Sequence, residues 1–421
     1  FLHALDDPQA HLRQMLSQPM RLEILLSIFS ASQFLADTMV RDPTLLDYIG
    51  RPDVIHAPRA ASAIAEELRE ISARAADRDQ WQDALRVMRR REILRIGARD
   101  ICLGTATQRI MEELSDLADA MITVSLERIR SARGGGGGFC IIAFGKLGGR
   151  ELNYSSDIDL LGLCDPRGDP DAVEQAARDM EALRADLSVH TVEGYAYRVD
   201  LRLRPYGSSG QLVYPLDSLV EYYRRTAALW ELQALLKARP VAGDLEVGRA
   251  FLESTRGLLT APHQQAAVAS SIDRLRREAL KALSRSVLST TDIKTGLGGL
   301  RDVEFLAQGL QLVHAHQKPG LLCGGTLPAL KCLGEAGILT PETAEQLSGD
   351  YLFLRRVEHF LQIYEDRQTH SLPRDPSQLR ALARLMLGSG ATSQQLMAKL
   401  GKRFERIQAE YRTFAGETGT G

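Results

Sequence analysis

The chain has 421 residues, of which 44% are hydrophobic, 25% charged and 6% aromatic. That length predicts two or three domains rather than one. Lys plus Arg total 52 and Asp plus Glu total 54, a net charge of −2, which excludes a general polyanion binder such as a basic nucleic-acid domain.

No apolar run reaches the ~18 residues of a membrane-spanning helix. The cysteines are Cys102, Cys140, Cys164, Cys323 and Cys332. They are odd in number and form no CxxC, which points to a reducing, cytoplasmic setting. The opening "FLHALDDPQAHL" has no basic n-region and reads as a cut start rather than a signal peptide.

From His11 to about Ile49, apolar residues recur at three- and four-residue spacing and predict helix. Asp42-Pro43 breaks it, and Thr44 is placed to cap a short helix after the break. Further helical stretches run from about Ala60 to Ala75 and, with breaks, from Asp79 to Arg133. Five glycines, 134 to 138, then read as a linker, because each costs a helix about 1 kcal/mol relative to Ala. After them the period changes. "FCIIAF" and "DIDLLGLC" read as short buried strands, with a helix at about Pro170 to Leu187 between them and the next strand. "GYAYRVDLRLRP" alternates: Tyr195, Tyr197, Val199, Leu201 and Leu203 share one face, and Arg198, Asp200, Arg202 and Arg204 the other. From Ser218 onward helices return, broken at "KTGLGGL", "QKPG" and "SLPRDP". The expected fold is therefore α+β and mostly helical. It divides into an N-terminal helical region (1–133), a small α/β core (134–260) and a C-terminal helical domain (261–421).

The chemistry concentrates in "FGKLGGRELNYSSDIDL" (144–160). Asp157 and Asp159 are two apart on a predicted strand and so share a face, sending Ile158 and Leu160 into the core. Two carboxylates this close repel unless a cation sits between them, and Mg²⁺ binds through one or two carboxylates plus substrate phosphates. Asp200 lies on the polar face of another strand. If the strands are neighbours, about 4.8 Å apart, it completes a site for two ions roughly 3.5 to 4 Å apart. Gly145, Gly148 and Gly149 allow backbone N–H groups close to a phosphate, and Lys146 adds a charge. Ser155 and Ser156 are placed to donate to phosphate or support the turn. Arg202 and Arg204 share the face of Asp200 and are suited to gripping phosphate oxygens. Each part alone is commonplace. Together, a Gly-Lys turn, an Asp-x-Asp and a later acid form the arrangement of the nucleotidyltransferase superfamily. Neither a Walker A loop nor a dinucleotide fingerprint is present. In "DIKTGLGGLRDVEF", Lys294, Arg301 and Glu304 open a helix on which Glu304 and Gln308 share a face. This reads equally as closure over the cleft or as an ordinary cap. His370 reads as a packed or capping histidine.

These motifs resemble the bacterial glutamine synthetase adenylyltransferase/adenylyl-removing enzymes. The resemblance extends through "ASQFLADTMVRDPTLL", "YRVDLRLRPYGSSGQLV", "WELQALLKARPVAGD", "DIKTGLGGLRDVEFLAQ" and "LRRVEHFLQIYEDRQTHSLP". Members of this family resemble two fused nucleotidyltransferase units, one adding AMP to a tyrosine of glutamine synthetase and one removing it by phosphorolysis to ADP. "GKLGGRE" and "VDLRLRP" each occur once here, so the chain holds one unit. "GRELNYSSDIDL" is similar to the N-terminal, deadenylylating unit, whereas the adenylylating unit tends to read "GREMTxxSDLDL".

The resemblance implies that Asp157, Asp159 and Asp200 bind Mg²⁺. It further implies that Gly145, Lys146 and Gly149 hold the adenylyl or the attacking phosphate and that Arg202 and Arg204 neutralise developing charge, with Ser156 and Glu304 as further cofactor-binding candidates. It also implies adenylylated glutamine synthetase, phosphate and ADP as reaction partners, and the PII signal protein, in uridylylated form, as regulator. Neither nucleic acid nor membrane is expected as a partner. The rival readings are forward adenylylation from ATP and a non-catalytic regulatory module.

Overall fold

The computed structural model describes residues 16–133, 138–284 and 292–416, with isolated positions before residue 16. Of the glycine run, 134–137 lie outside the described residues, and Gly138 already belongs to a strand. The start of the expected first helix, at His11, also lies outside them.

The N-terminal helices are α1 (Pro19–Ala31), α2 (Gln33–Arg41), α3 (Leu45–Ile49), α4 (Pro52–Ile55), α5 (Ala61–Arg74), α6 (Arg78–Cys102) and α7 (Thr107–Arg133). Their ends follow local chemistry. Pro19 opens α1, where its missing N–H is no loss. Ser32 caps α2 by accepting from Leu35 N at 3.1 Å and donates to Ile363 O at 2.5 Å. Asp77 caps α6 through Gln80 N at 2.9 Å. Buried between α6 and α7, Arg95 bonds Glu92 at 2.8 Å and Glu113 at 2.7 Å, so these interior charges are paired.

The sheet comprises β1 (Gly138–Phe144), β2 (Ile158–Asp165), β3 (Val199–Asp200), β4 (Val213–Pro215) and β5 (Arg239–Gly243). The strand order is β3-β2-β1-β5, with β4 also pairing β2. β1 runs antiparallel to β2 and β5, while β3 and β4 run parallel to β2. Every residue of β1 is buried, as expected of a central strand covered on both faces. The four-residue turn α8 (Gly145–Gly148) leaves β1. α9 (Ala172–Ser188), α10 (Leu216–Arg225) and α12 (Leu245–Leu259) flank the sheet, while the short α11 (Leu229–Leu235) packs against the C-terminal helices.

α13 (Gln265–Ser284), α14 (Leu300–His314), α15 (Thr326–Glu335), α16 (Pro341–Ile363), α17 (Pro376–Leu387) and α18 (Ser393–Ala415) build the C-terminal bundle. The fold is the expected mostly helical α+β arrangement. Two strand expectations are corrected. The strand expected over 194–205 pairs only at Val199–Asp200. The Arg202 N–H turns back to Asp200 Oδ1 at 2.8 Å and the chain leaves the sheet. β5 falls in a stretch expected to be helical. Its Pro240 is tolerated because β5 is an edge strand.

Candidate active site

Pairing brings the key carboxylates together. Asp159, second in β2, stands opposite Phe144 at the end of β1 and opposite Asp200 on β3. Ile158 and Leu160, its chain neighbours, are fully buried, so alternation aims Asp159 away from the core. Asp157 sits immediately before β2. Gly145 follows β1 at φ +57°, and a Cβ there would collide with the Asp159 carboxylate. Glycine is therefore required both by the left-handed backbone and by the close approach.

The Asp159 carboxylate has no hydrogen-bond or ion-pair partner among the described residues. Burial, then Asp200 and Asp157, push its pKa up to about 6, against the opposing pull of Lys294 and Lys146. Its two partners are neutralised by arginines. Arg198 Nε lies 2.5 Å from Asp157 Oδ1, and Gln368 Nε2 lies 3.4 Å from Asp157 Oδ2. Arg202 grips Asp200 through Nε at 2.9 Å and Nη2 at 2.5 Å, holding that carboxyl below its usual range. A cavity of about 460 Å³ opens beside Asp157 and Asp200, lined also by Arg184, Arg198, Arg202 and Arg204 and by the apolar Val199, Leu201 and Leu212.

Opposite the aspartates, the turn meets the bundle. Lys146 Nζ bonds Glu358 Oε1 of α16 at 3.3 Å. Burial, then Lys294 and Arg355, bring the Lys146 ammonium down to about 7 although Glu358 and Glu304 favour its charge. Glu358 is fully buried, bonds Arg355 Nη1 at 2.8 Å and lies 2.9 Å from His370 Nδ1. Lys146, then Arg355 and the hydrogen bond with His370, hold its carboxyl well below the ordinary range despite burial. Burial leads the forces that lower His370. Glu304 accepts from Tyr351 Oη at 3.3 Å. It stays ionised against its burial through Lys237, Lys146, Arg355 and Lys294.

The sequence-derived candidates thus divide. Gly145, Asp157, Asp159 and Asp200 meet where β1, β2 and β3 adjoin, with Lys146 and Glu304 near them on the bundle side. Ser156 is buried in the turn into β2. Gly149 faces Glu151 and Gly324 O of the bundle. Arg204 spends its guanidinium on the carbonyls of Leu201 at 2.8 Å, Gly210 at 3.1 Å and Ser208 at 3.1 Å, bracing the turn after β3. Arg301 lies over the Phe305 ring. Sequence reasoning missed Arg198 as a partner of Asp157, though its place two before Asp200 on the polar face was a usable signal. Glu358, Gln368 and Lys237 meet the site through contacts more than 80 residues apart in sequence, and no local pattern marks them, whereas Glu151 lies within the 144–160 stretch and bonds Lys146 O through its own N–H at 2.8 Å.

Three carboxylates supply the oxygen-only donor set that suits Mg²⁺, and the buried, unpartnered Asp159 is a donor whose charge a bound cation would offset. They are not a preassembled cage. Among the described residues no group of three or more His, Cys, Asp or Glu side chains is arranged to hold a metal ion, and Asp157 and Asp200 are instead engaged by Arg198 and Arg202. No described helix is long and apolar enough to cross a membrane.

Comparison with known proteins agrees with this architecture. A glutamate-ammonia ligase adenylyltransferase family model matches residues 22–254, and a GlnD PII-uridylyltransferase model matches residues 266–415. The chain is 38% identical to the bifunctional glutamine synthetase adenylyltransferase/adenylyl-removing enzyme of Streptomyces avermitilis, over 87% of this chain and 36% of the relative. The enzymes of the same name from Cutibacterium acnes and from Xanthomonas campestris pv. campestris (strain B100) are 39% and 35% identical. Those matches cover 72% and 92% of this chain but 32% and 42% of the relatives. The chain therefore spans well under half the length of these relatives. With more than half of its residues matched by one family model and the paired-aspartate sheet in place, the chain belongs to the glutamate-ammonia ligase adenylyltransferase family.

Proposed function

We propose that this unit transfers an adenylyl group between a tyrosine of glutamine synthetase and inorganic phosphate, in the removing direction, yielding ADP and unmodified synthetase. The observation that carries nucleotidyl transfer is the register of Asp159 against Asp200 on adjoining strands, with Gly145 leaving room beside them. The removing direction rests on "GRELNYSSDIDL" and its likeness to the deadenylylating unit.

Asp157, Asp159 and Asp200 would hold Mg²⁺, which supplies charge neutralisation at the phosphates when bound. Arg198 and Gln368 orient Asp157, and Arg202 orients Asp200. Lys146 and Lys294 place positive charge on the bundle side, where an attacking phosphate needs it. An oxygen of phosphate forms the new bond to the adenylyl phosphorus as the bond to the tyrosyl oxygen breaks, and that oxygen ends protonated. Phosphate brings its own nucleophilic oxygen, so the chain need supply no strong base. The synthetase is approached from the open Asp157–Arg202 side of the cleft. The bundle's likeness to a PII-uridylyltransferase model supports PII as the regulatory partner.

The test supplies Mg²⁺ and adenylylated synthetase with and without phosphate and follows ADP. Phosphate-dependent ADP is expected. Pyrophosphate from ATP and unmodified synthetase, without ADP release, would reverse the direction. Absence of both, with uridylylated PII present, would leave a regulatory module.

A further inference from the structure

A second cluster of chemically reactive groups lies away from the aspartates. Cys323 Sγ and Cys332 Sγ are 2.8 Å apart, both free thiols and both partly exposed. Cys140 and Cys164 are by contrast buried. The pair is held by construction. Cys323 sits in the turn leading into α15, and Cys332 lies within α15 itself. Gln311 Nε2 donates to Leu321 O at 2.6 Å and to Cys323 O at 2.9 Å, pinning that turn. The same turn delivers Thr326, whose N–H and hydroxyl reach Glu151 at 3.1 and 3.0 Å. Its Gly324 carbonyl lies against Gly149 of the glycine turn.

We propose that Cys323 and Cys332 are a thiol–disulfide exchange site, taking low-molecular-weight disulfides of the glutathione class and closing into an internal disulfide that locks the Gly324–Thr326 turn on Glu151. One thiol, deprotonated, attacks a sulfur of the small disulfide. A mixed disulfide forms and one small thiolate leaves. The second protein thiol, giving its proton to solvent, attacks the mixed disulfide and expels the other small thiolate. The protein loses two electrons and the small disulfide is reduced to two thiols. Juxtaposition makes the second step intramolecular and fast relative to escape. Burial, then the hydrogen bond with Cys332, pushes the Cys323 thiol up to about 12, so attack by Cys323 is slow at neutral pH and quickens as pH rises. The thiol chemistry is independent of adenylyl transfer.

The test treats the folded chain with oxidised glutathione, blocks remaining thiols by alkylation and maps peptides by mass spectrometry without reductant. The expected product links Cys323 to Cys332, is lighter by two hydrogens and is cleaved by reductant. Cys332→Ser should halt the reaction as a stable glutathione adduct on Cys323. Hydrogen exchange at the Thr326 amide should slow on oxidation of the wild-type chain. Persistent adducts on both cysteines, or oxidation at Cys102 while both are recovered alkylated, would overturn the proposal. If the variant fails to fold, the wild-type map alone decides.

Discussion

Asp159 carries the most weight in the proposed transfer, because it alone of the three carboxylates has no partner among the described residues. Asp159→Asn removes a repulsive charge, so the fold should survive, with an unchanged circular dichroism spectrum and a melting point no lower than wild type. Adenylyl transfer should nevertheless fall by at least ~10²–10³-fold, the scale of losing one preorganised electrostatic group. Near-wild-type turnover would move the site elsewhere. Gly145→Ala places a Cβ in left-handed backbone and against that carboxylate, and should lower the urea unfolding free energy by about 1–2 kcal/mol from the backbone alone. Lys146 gives a pH signature. Its native value is about 7 against 10.5 ordinarily, so the unfolded chain binds the proton more tightly between those values. Its contribution to stability therefore rises with pH across that window. Lys146→Met should flatten the rise in urea titrations at successive pH values.

At the scale of elements, one contact joins the turn after β1 to α16. Glu358 gathers Lys146, Arg355 and His370 around a carboxyl that water does not reach. Glu358→Gln leaves buried cations without their counter-charge and should cost about 3–5 kcal/mol in chemical denaturation. The native carboxyl is held well below 4.5, so its stabilisation is present above that value and is lost as pH falls toward the native pKa. The variant should show a shallower acid limb, and an unaltered limb would show that other carboxylates set acid stability. The strands also show what local pattern conveys. "FCIIAF" and "DIDLLGLC" were legible because continuous apolar runs suit strands buried on both faces. The alternation through Tyr195 to Leu203 overstated β3. Tyr195 and Tyr197 instead pack beneath Arg89, and Asp200 ends the strand by capturing Arg202. β5 was hidden because Pro240 argues against a strand unless that strand is known to be an edge.

Across the whole molecule, sheet and bundle are fused by buried polar contacts rather than by a thin linker. Glu151 takes the Lys237 ammonium, the Thr326 N–H and hydroxyl and the Tyr351 hydroxyl, while Arg355 caps its carbonyl. Arg89 bridges Asp366 and Tyr154 O from the N-terminal helices. Such coupling makes the regions unfold together. Glu151→Gln should cost about 3–5 kcal/mol, and hydrogen exchange should accelerate in β1 and α15 by similar factors. Acceleration confined to α15 would show the bundle to be an independent unit.

By itself, the sequence determined the mostly helical α+β class and the two central strands, and it singled out Asp157, Asp159 and Asp200 as candidates. Each of these is written in local periodicity, in glycine's freedom at a turn and in the two-residue repeat of a strand. Only the tertiary structure decided that Asp159 would stand unpartnered beside Asp200 and that Arg204 would be consumed by carbonyls. It alone brought Glu358, Lys237 and Gln368 to the cleft from distant parts of the chain. The division is physical. Short-range sterics and burial leave a pattern in neighbouring residues, whereas the pairing of buried charges depends on which surfaces meet after the chain has folded.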